Sequence, residues 1–152
     1  MMTAIQDTIE REITVRASKE RVFNALIDPL QLVQWFPDGV EGKMELGERP
    51  IFDFGEYGKY QIYVTAVDPF DYFAYRWIPG NSDQPEGFLG DVLAFSNTLV
   101  EFRLQEGPHG TTVKLKESGF ASLPERVAEK SVADNNEGWE VMLDRLEKLM
   151  TQ

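Results

Sequence analysis

The sequence predicts an α+β fold: a curved antiparallel sheet of about six to seven strands wrapped around a long C-terminal helix, with two short helices after the first strand. Three observations predict it. Near the C-terminus, Trp139, Met142, Leu143, Leu146, Leu149 and Met150 recur at three- and four-residue steps, while Glu140, Asp144, Glu147 and Lys148 fall on the opposite side. That is the pattern of an amphipathic helix, and at 1.5 Å per residue it is roughly 18 Å long, enough to cover one face of a sheet. Upstream, most of the chain alternates apolar and polar residues in short runs. Clusters of Gly, Pro, Asp and Asn separate those runs and read as turns. Where helix and sheet meet there is core, and where they fail to meet there is a pocket; the periodicity allows both.

In chain order, Thr8 to Arg16 alternates, with Ile9, Ile13 and Val15 on one parity and Arg11 sharing it. Ser18 is placed to cap a helix carrying Val22, Phe23, Leu26 and Ile27 on one side. Asp28-Pro29 ends that helix and opens a second, because aspartate caps well and proline suits the first helical position. The second helix is expected to hold Leu30, Leu32, Val33, Trp35 and Phe36. Four short strands follow: Val40 to Leu46, with Val40, Met44 and Leu46 on one face, then Ile51 to Gly55, Tyr60 to Val67 and Tyr72 to Trp77. Ile62 and Val64 disagree in parity with Val67, which a bulge reconciles. Phe73, Tyr75 and Trp77 share a face.

Pro79 to Gly90 reads as an irregular loop, functional or locally disordered at that length. After its proline- and glycine-rich part, Phe88, Leu89, Val92, Leu93 and Phe95 are apolar enough to fold over a pocket mouth or to form a dimer contact. Thr98 to Leu104 points Thr98, Val100, Phe102 and Leu104 inward. Thr112 to Phe120 points Val113, Leu115 and Glu117 inward. Ser122 and Glu125 have the spacing of a capping box that opens one long C-terminal helix, weakened midway by Asn135, Asn136 and Gly138.

The 152 residues fit one domain, spanning 1–152. With no cysteine in the chain, disulfides, thiolate nucleophiles and cysteine metal sites are excluded. The N-terminal segment shows no signal-peptide pattern and no apolar run is long enough to span a bilayer, so a cytoplasmic protein is expected. A formal net charge of −11 disfavours binding to nucleic acid or to an anionic membrane.

The lone histidine, His109, lies in a Gly-Pro-His-Gly turn, too isolated for a metal site and poorly placed for a general base. No nucleophile elbow or phosphate-binding loop occurs. No metal, no cofactor and no catalytic residue is therefore expected. What remains is an aromatic and apolar surface of the kind that lines small-molecule pockets. Its candidates are Trp35, Phe36, Phe52, Phe54, Tyr60, Phe73, Tyr75, Trp77, Phe102, Trp139, Met142, Leu143 and Leu146, each of which also fits plain core. Glu117 is the outlier. A carboxylate of inward parity is costly unless paired or hydrated. Arg11 and the hydroxyls of Tyr60 and Tyr75 are its candidate partners; the alternative is a strand end that reaches solvent.

Several stretches together carry a family resemblance. They are Ala17-Ser18-Lys19-Glu20-Arg21-Val22-Phe23 leading to Asp28-Pro29 and Trp35-Phe36; Val67-Asp68-Pro69 with Phe73 to Trp77; Ser118-Gly119-Phe120; and Gly138-Trp139-Glu140 followed by Leu143-Asp144-Arg145-Leu146. In this order, from about Ile9 to Met150, the chain resembles the START-like (SRPBCC) helix-grip superfamily, in the branch named after the activator of Hsp90 ATPase. The resemblance implies a β-α-α-β6-α fold with an elongated cavity between sheet and C-terminal helix. It also implies a small-ligand binder, since most members are binders and some are lyases, cyclases or aromatases. The residue before Ser118-Gly119-Phe120 is often histidine in this branch. Here it is Glu117, which gives the cavity a different polarity.

The leading expectation is a protein that binds a small hydrophobic or aromatic molecule between sheet and helix. The alternatives are a cyclase- or hydrolase-type enzyme using Glu117 as acid or base, and a chaperone-associated interaction module. A homodimer is an allowed assembly.

Overall fold

The structure is a computed structural model that describes residues 6–80 and 87–151. Among these residues, nine strands form two sheets. A five-stranded antiparallel sheet has the order β1-β9-β8-β6-β5, built from β1 (Thr8–Val15), β5 (Tyr63–Asp68), β6 (Tyr72–Trp77), β8 (Thr98–Gly107) and β9 (Gly110–Ser118). A smaller sheet has the order β2-β3-β4-β7, from β2 (Gly39–Glu41), β3 (Ile51–Asp53), β4 (Lys59–Gln61) and β7 (Gly87–Phe88), the last pair being parallel. Helices α1 (Lys19–Ile27) and α2 (Pro29–Leu32) follow β1, and α3 (Glu125–Met150) closes the chain. The fold class is the one the sequence predicts, with its strands divided between a long sheet and a short one.

Local chemistry explains the first turns. The Ser18 side chain accepts from Arg21 N at 3.2 Å and caps α1. Asp28 serves two helices: its N–H donates to Asn24 O at the end of α1, and its carboxylate accepts from Leu30 N at 3.0 Å to cap α2. The second helix is shorter than expected. It stops at Leu32, and a hydrogen-bonded turn carries Trp35 and Phe36 inward while Leu30 stays exposed. The anchor is the Trp35 indole, which donates to Ala25 O of α1 at 2.8 Å.

Two further expectations are corrected. The strand expected over Val40 to Leu46 ends at Glu41; Met44 is buried but Leu46 is 65% exposed, so they do not share a face. The Ser122 capping box does not form. Ser122 lies in a 3₁₀ turn (Phe120–Ser122) and its hydroxyl donates to Gly119 O at 2.7 Å, while α3 starts after Pro124 without a side-chain cap. Leu123 is buried, and the extended Leu123-Pro124 link breaks the geometry that a capping box needs. The Tyr60 to Val67 run divides at Ile62 into β4 and β5, and its register shifts between Val64 and Ala66, where parity requires a bulge.

α3 is one continuous 26-residue helix, about 39 Å long at 1.5 Å per residue. Trp139, Leu143, Leu146 and Met150 are at most 3% exposed, each contributing roughly 1.5–3 kcal/mol by leaving water. Its C-terminal carbonyls are held by Arg21 of α1, which donates to Met150 O at 2.9 Å. None of the described helices is long and apolar enough to cross a membrane.

Candidate functional site

Glu117 is fully buried on β9, opposite Val100 of β8 and Ile9 of β1. Its two oxygens divide the surroundings between them. Oε2 accepts from the sheet: Trp77 Nε1 of β6 at 2.9 Å and Thr98 Oγ1 of β8 at 2.6 Å. Oε1 accepts from the helix: Asn135 Nδ2 at 3.0 Å and Trp139 Nε1 at 2.8 Å. Trp77 and Thr98 are cross-strand neighbours, and Asn135 and Trp139 are four apart on one face of α3. One carboxylate thus ties the sheet to the helix. A carboxylate has about four lone-pair positions, and all are taken.

These are not the partners expected from the sequence. Arg11 shares the inward parity but turns to α3, donating from Nε to Asn136 Oδ1 at 3.1 Å and pairing with Glu140 at 3.6 Å. Tyr60 donates its hydroxyl to Tyr57 O at 3.2 Å. The Tyr75 hydroxyl is buried and makes no hydrogen bond among the described residues. Nor does Glu117 reach solvent at a strand end: burial raises its pKa, against four hydrogen bonds that lower it. Burial raises the Tyr75 pKa well above the phenol range too, and the nearby Glu117 charge adds to it.

Around this polar centre stand the aromatic residues singled out in the sequence. Phe36 lies 5.1 Å from Trp139 and 6.1 Å from Trp77, ring centre to ring centre. Trp139 meets Phe102 at 5.9 Å and Trp77 at 6.3 Å. Tyr75 is flanked by Trp77 at 5.4 Å, Phe52 at 5.7 Å and Phe73 at 5.9 Å. Phe54 and Tyr60 close the side toward the short sheet, 5.6 Å apart. Trp35 stacks on Phe36, with ring centres 5.2 Å apart. Leu143 and Leu146 are buried beside them, whereas Phe54 and Met142 are half-buried.

The structure therefore gathers the predicted set into one cluster between sheet and helix, and the rings touch across the gap. Open grooves lie elsewhere among the described residues. One, of about 450 Å³, runs over Glu10, Glu12, Glu101, Arg103, Lys114 and Lys116, and another, of about 390 Å³, follows the seam of β1 and α3.

Thr98 and Asn135 are members of the polar centre that the sequence reading left out. Both were findable. Thr98 heads an inward-facing strand parity, and Asn135 shares the helical face of Trp139 four residues on. Asn135 looked like a helix-weakening residue; it is a ligand of Glu117. His109 is exposed in the β8–β9 turn, away from this cluster. Among the described residues no group of three His, Cys, Asp or Glu is placed to hold a metal ion. The 79–90 loop falls partly outside the described residues.

A family model for activator of Hsp90 ATPase homolog 1-like proteins matches residues 16–151. The chain belongs to this family. Solved structures share its fold. DynU16, from the dynemicin biosynthetic locus, is 25% identical with a TM-score of 0.76 over 97% of this chain and 48% of its own. The chain thus spans about half the length of DynU16. MLL2253 from Mesorhizobium loti is 23% identical (TM-score 0.74, covering 95% of this chain and 96% of that one). The Aha1 dimer from Colwellia psychrerythraea is 20% identical (TM-score 0.72, covering 95% and 96%). No curated protein matches the sequence. Within the family's helix-grip fold, the position before Ser118-Gly119-Phe120 is occupied here by a buried, fully hydrogen-bonded glutamate.

Proposed function

We propose that this member of the activator of Hsp90 ATPase homolog 1-like family binds a small, largely aromatic molecule between the five-stranded sheet and α3, beside Glu117 and Tyr75. One observation carries the reading. The Tyr75 hydroxyl is buried among rings with no partner among the described residues, and an unmade hydrogen bond in such a place costs about 1–3 kcal/mol. A ligand oxygen or nitrogen supplies the missing partner. The rings already touch, so the ligand enters by parting them. Half-buried Phe54 and Met142, with Phe36, Tyr60 and Trp77 at 6–8% exposure, mark the side that yields. DynU16, from a natural-product locus, supports this reading as an analogy of fold.

Glu117 serves in this proposal as the fastening of two pocket walls. A general base needs a free lone pair aimed at the proton it takes, and all four positions of Glu117 are occupied. Binding is therefore favoured over acid–base catalysis.

Native mass spectrometry of protein purified from its own host tests the proposal. A retained small molecule whose loss coincides with Tyr75→Phe supports it. A wild-type protein that carries no added mass, and whose Trp fluorescence stays unchanged across a library of aromatic compounds, counts against it.

The second partner we propose is another copy of the chain. Leu89, Leu93 and Phe95 are 54%, 47% and 60% exposed and follow the short edge strand β7 in sequence, and Phe95 meets Phe88 of that strand at 5.4 Å between ring centres; exposed apolar residues grouped in this way suit an interface. Sedimentation should show a dimer that Phe95→Ser turns into monomer; a wild-type monomer at all concentrations rules it out.

A further inference from the structure

Glu117 has a second property, which concerns charge rather than hydrogen bonding. All four of its donors are neutral: two indoles, a hydroxyl and a carboxamide. Among the described residues no Lys, Arg or His pairs with it. A buried carboxylate is ordinarily matched by a cation, because hydrogen bonds from neutral groups offset only part of its lost hydration. This one stands at the back of a group of aromatic rings instead. Trp77 and Trp139 turn their N–H edges to the carboxylate; their ring centres lie 6.1 Å and 5.1 Å from that of Phe36, with 37° between the two indole planes. An indole that donates its N–H to an anion gains electron density on its face, and that face is the one that attracts cations. The Tyr75 hydroxyl, buried and without a partner among the described residues, feels the Glu117 charge.

Resting on the binding reading above, we infer that the ligand is an organic cation, an aromatic or alkyl amine in its protonated or quaternary form. Its charge lies against the Trp77 and Trp139 faces within the field of Glu117, and the Tyr75 hydroxyl oxygen accepts from it or from a neighbouring polar group. The ammonium does not displace the four donors. It supplies the missing positive charge through the indoles, in the manner by which aromatic cages select ammonium groups. A carboxylate or phenolate of the same shape meets repulsion from Glu117 in a medium where charges act strongly.

Three naphthalene probes of one shape test this: 2-naphthylmethylamine, 2-naphthylmethanol and 2-naphthoate. Each is titrated into the full chain at roughly 0.15 M salt, where the Debye length is about 8 Å and the chain's overall negative charge is largely screened. Binding is read by Trp fluorescence and calorimetry. The amine is expected to bind at least about tenfold more tightly than the alcohol, equal to about 1.4 kcal/mol, with no binding of the naphthoate. Glu117→Gln is expected to bring the amine-to-alcohol ratio close to one. Should that variant not fold, Trp139→Phe, which keeps a ring but removes one indole face and donor, is expected to shrink the ratio by at least half.

If the alcohol or the naphthoate binds as well as the amine, the cation inference is overturned while the binding site stands. If no probe binds, the site itself is wrong. If Glu117→Gln or Trp139→Phe folds and preserves the wild-type ratio, the selectivity comes from elsewhere and the inference also falls.

Discussion

Tyr75 and Glu117 are both fully enclosed, and they differ in how far their polar atoms are satisfied. The Tyr75 hydroxyl has no partner among the described residues, so Tyr75→Phe removes a desolvated group without breaking a bond. Urea denaturation of the free protein should show stability unchanged or raised by up to about 1–3 kcal/mol; a clear loss would mean that the hydroxyl is bonded. For Glu117 the prediction concerns pH. Burial outweighs its four hydrogen bonds and raises its pKa, so the folded chain holds this proton to a higher pH than the unfolded chain. The contribution of the group is then fully present below the ordinary carboxylate range and is lost as pH rises through the folded-state value. Measured against Glu117→Gln, wild-type stability should fall as pH rises across that window. A difference that grows with pH would contradict the assignment.

At the scale of elements, α3 sets two adjacent asparagines in different roles. Asn135 donates to buried Glu117, whereas Asn136 accepts from Arg11 at the surface. Replacing either by alanine gains up to about 0.7 kcal/mol of helix propensity. Losing a hydrogen bond to a charged group costs about 1.5–3 kcal/mol, so the loss wins at position 135. Asn135→Ala should destabilise by roughly 1–2 kcal/mol and Asn136→Ala should be neutral or slightly stabilising, both read by thermal or chemical unfolding. Equal effects would mean that the Glu117 contact contributes nothing. The same helix shows where local patterns mislead. Ser122 and Glu125 carry the capping spacing, but Pro124 intervenes and the buried Leu123 holds the chain extended. The Val40 to Leu46 run looked like a strand because alternate apolar residues pattern alike in strands and in loops, and only its first residues find a partner strand.

Across the whole molecule, the amphipathic α3 and the inward parities of β6, β8 and β9 were legible because burial on one face imposes a strict period on each. The aromatic cluster followed from those periods. The identity of Glu117's partners did not, since a hydrogen bond between distant strands and a helix depends on register and on side-chain direction, neither of which a period encodes. Trp77 and Trp139 read as apolar lining; their N–H groups turned out to be what fastens the two walls of the fold together.

A ligand that enters between those walls, as proposed, is reported directly by the indole N–H signals. The chain's three tryptophans divide usefully: Trp77 and Trp139 donate to Glu117, and Trp35 donates to the backbone of Ala25. A ¹H–¹⁵N NMR titration of the full chain with 2-naphthylmethylamine should shift the Trp77 and Trp139 indole signals together, saturably, and more than that of Trp35. Indole signals that stay in place, or that move equally at all three tryptophans, would contradict ligand entry between the sheet and α3.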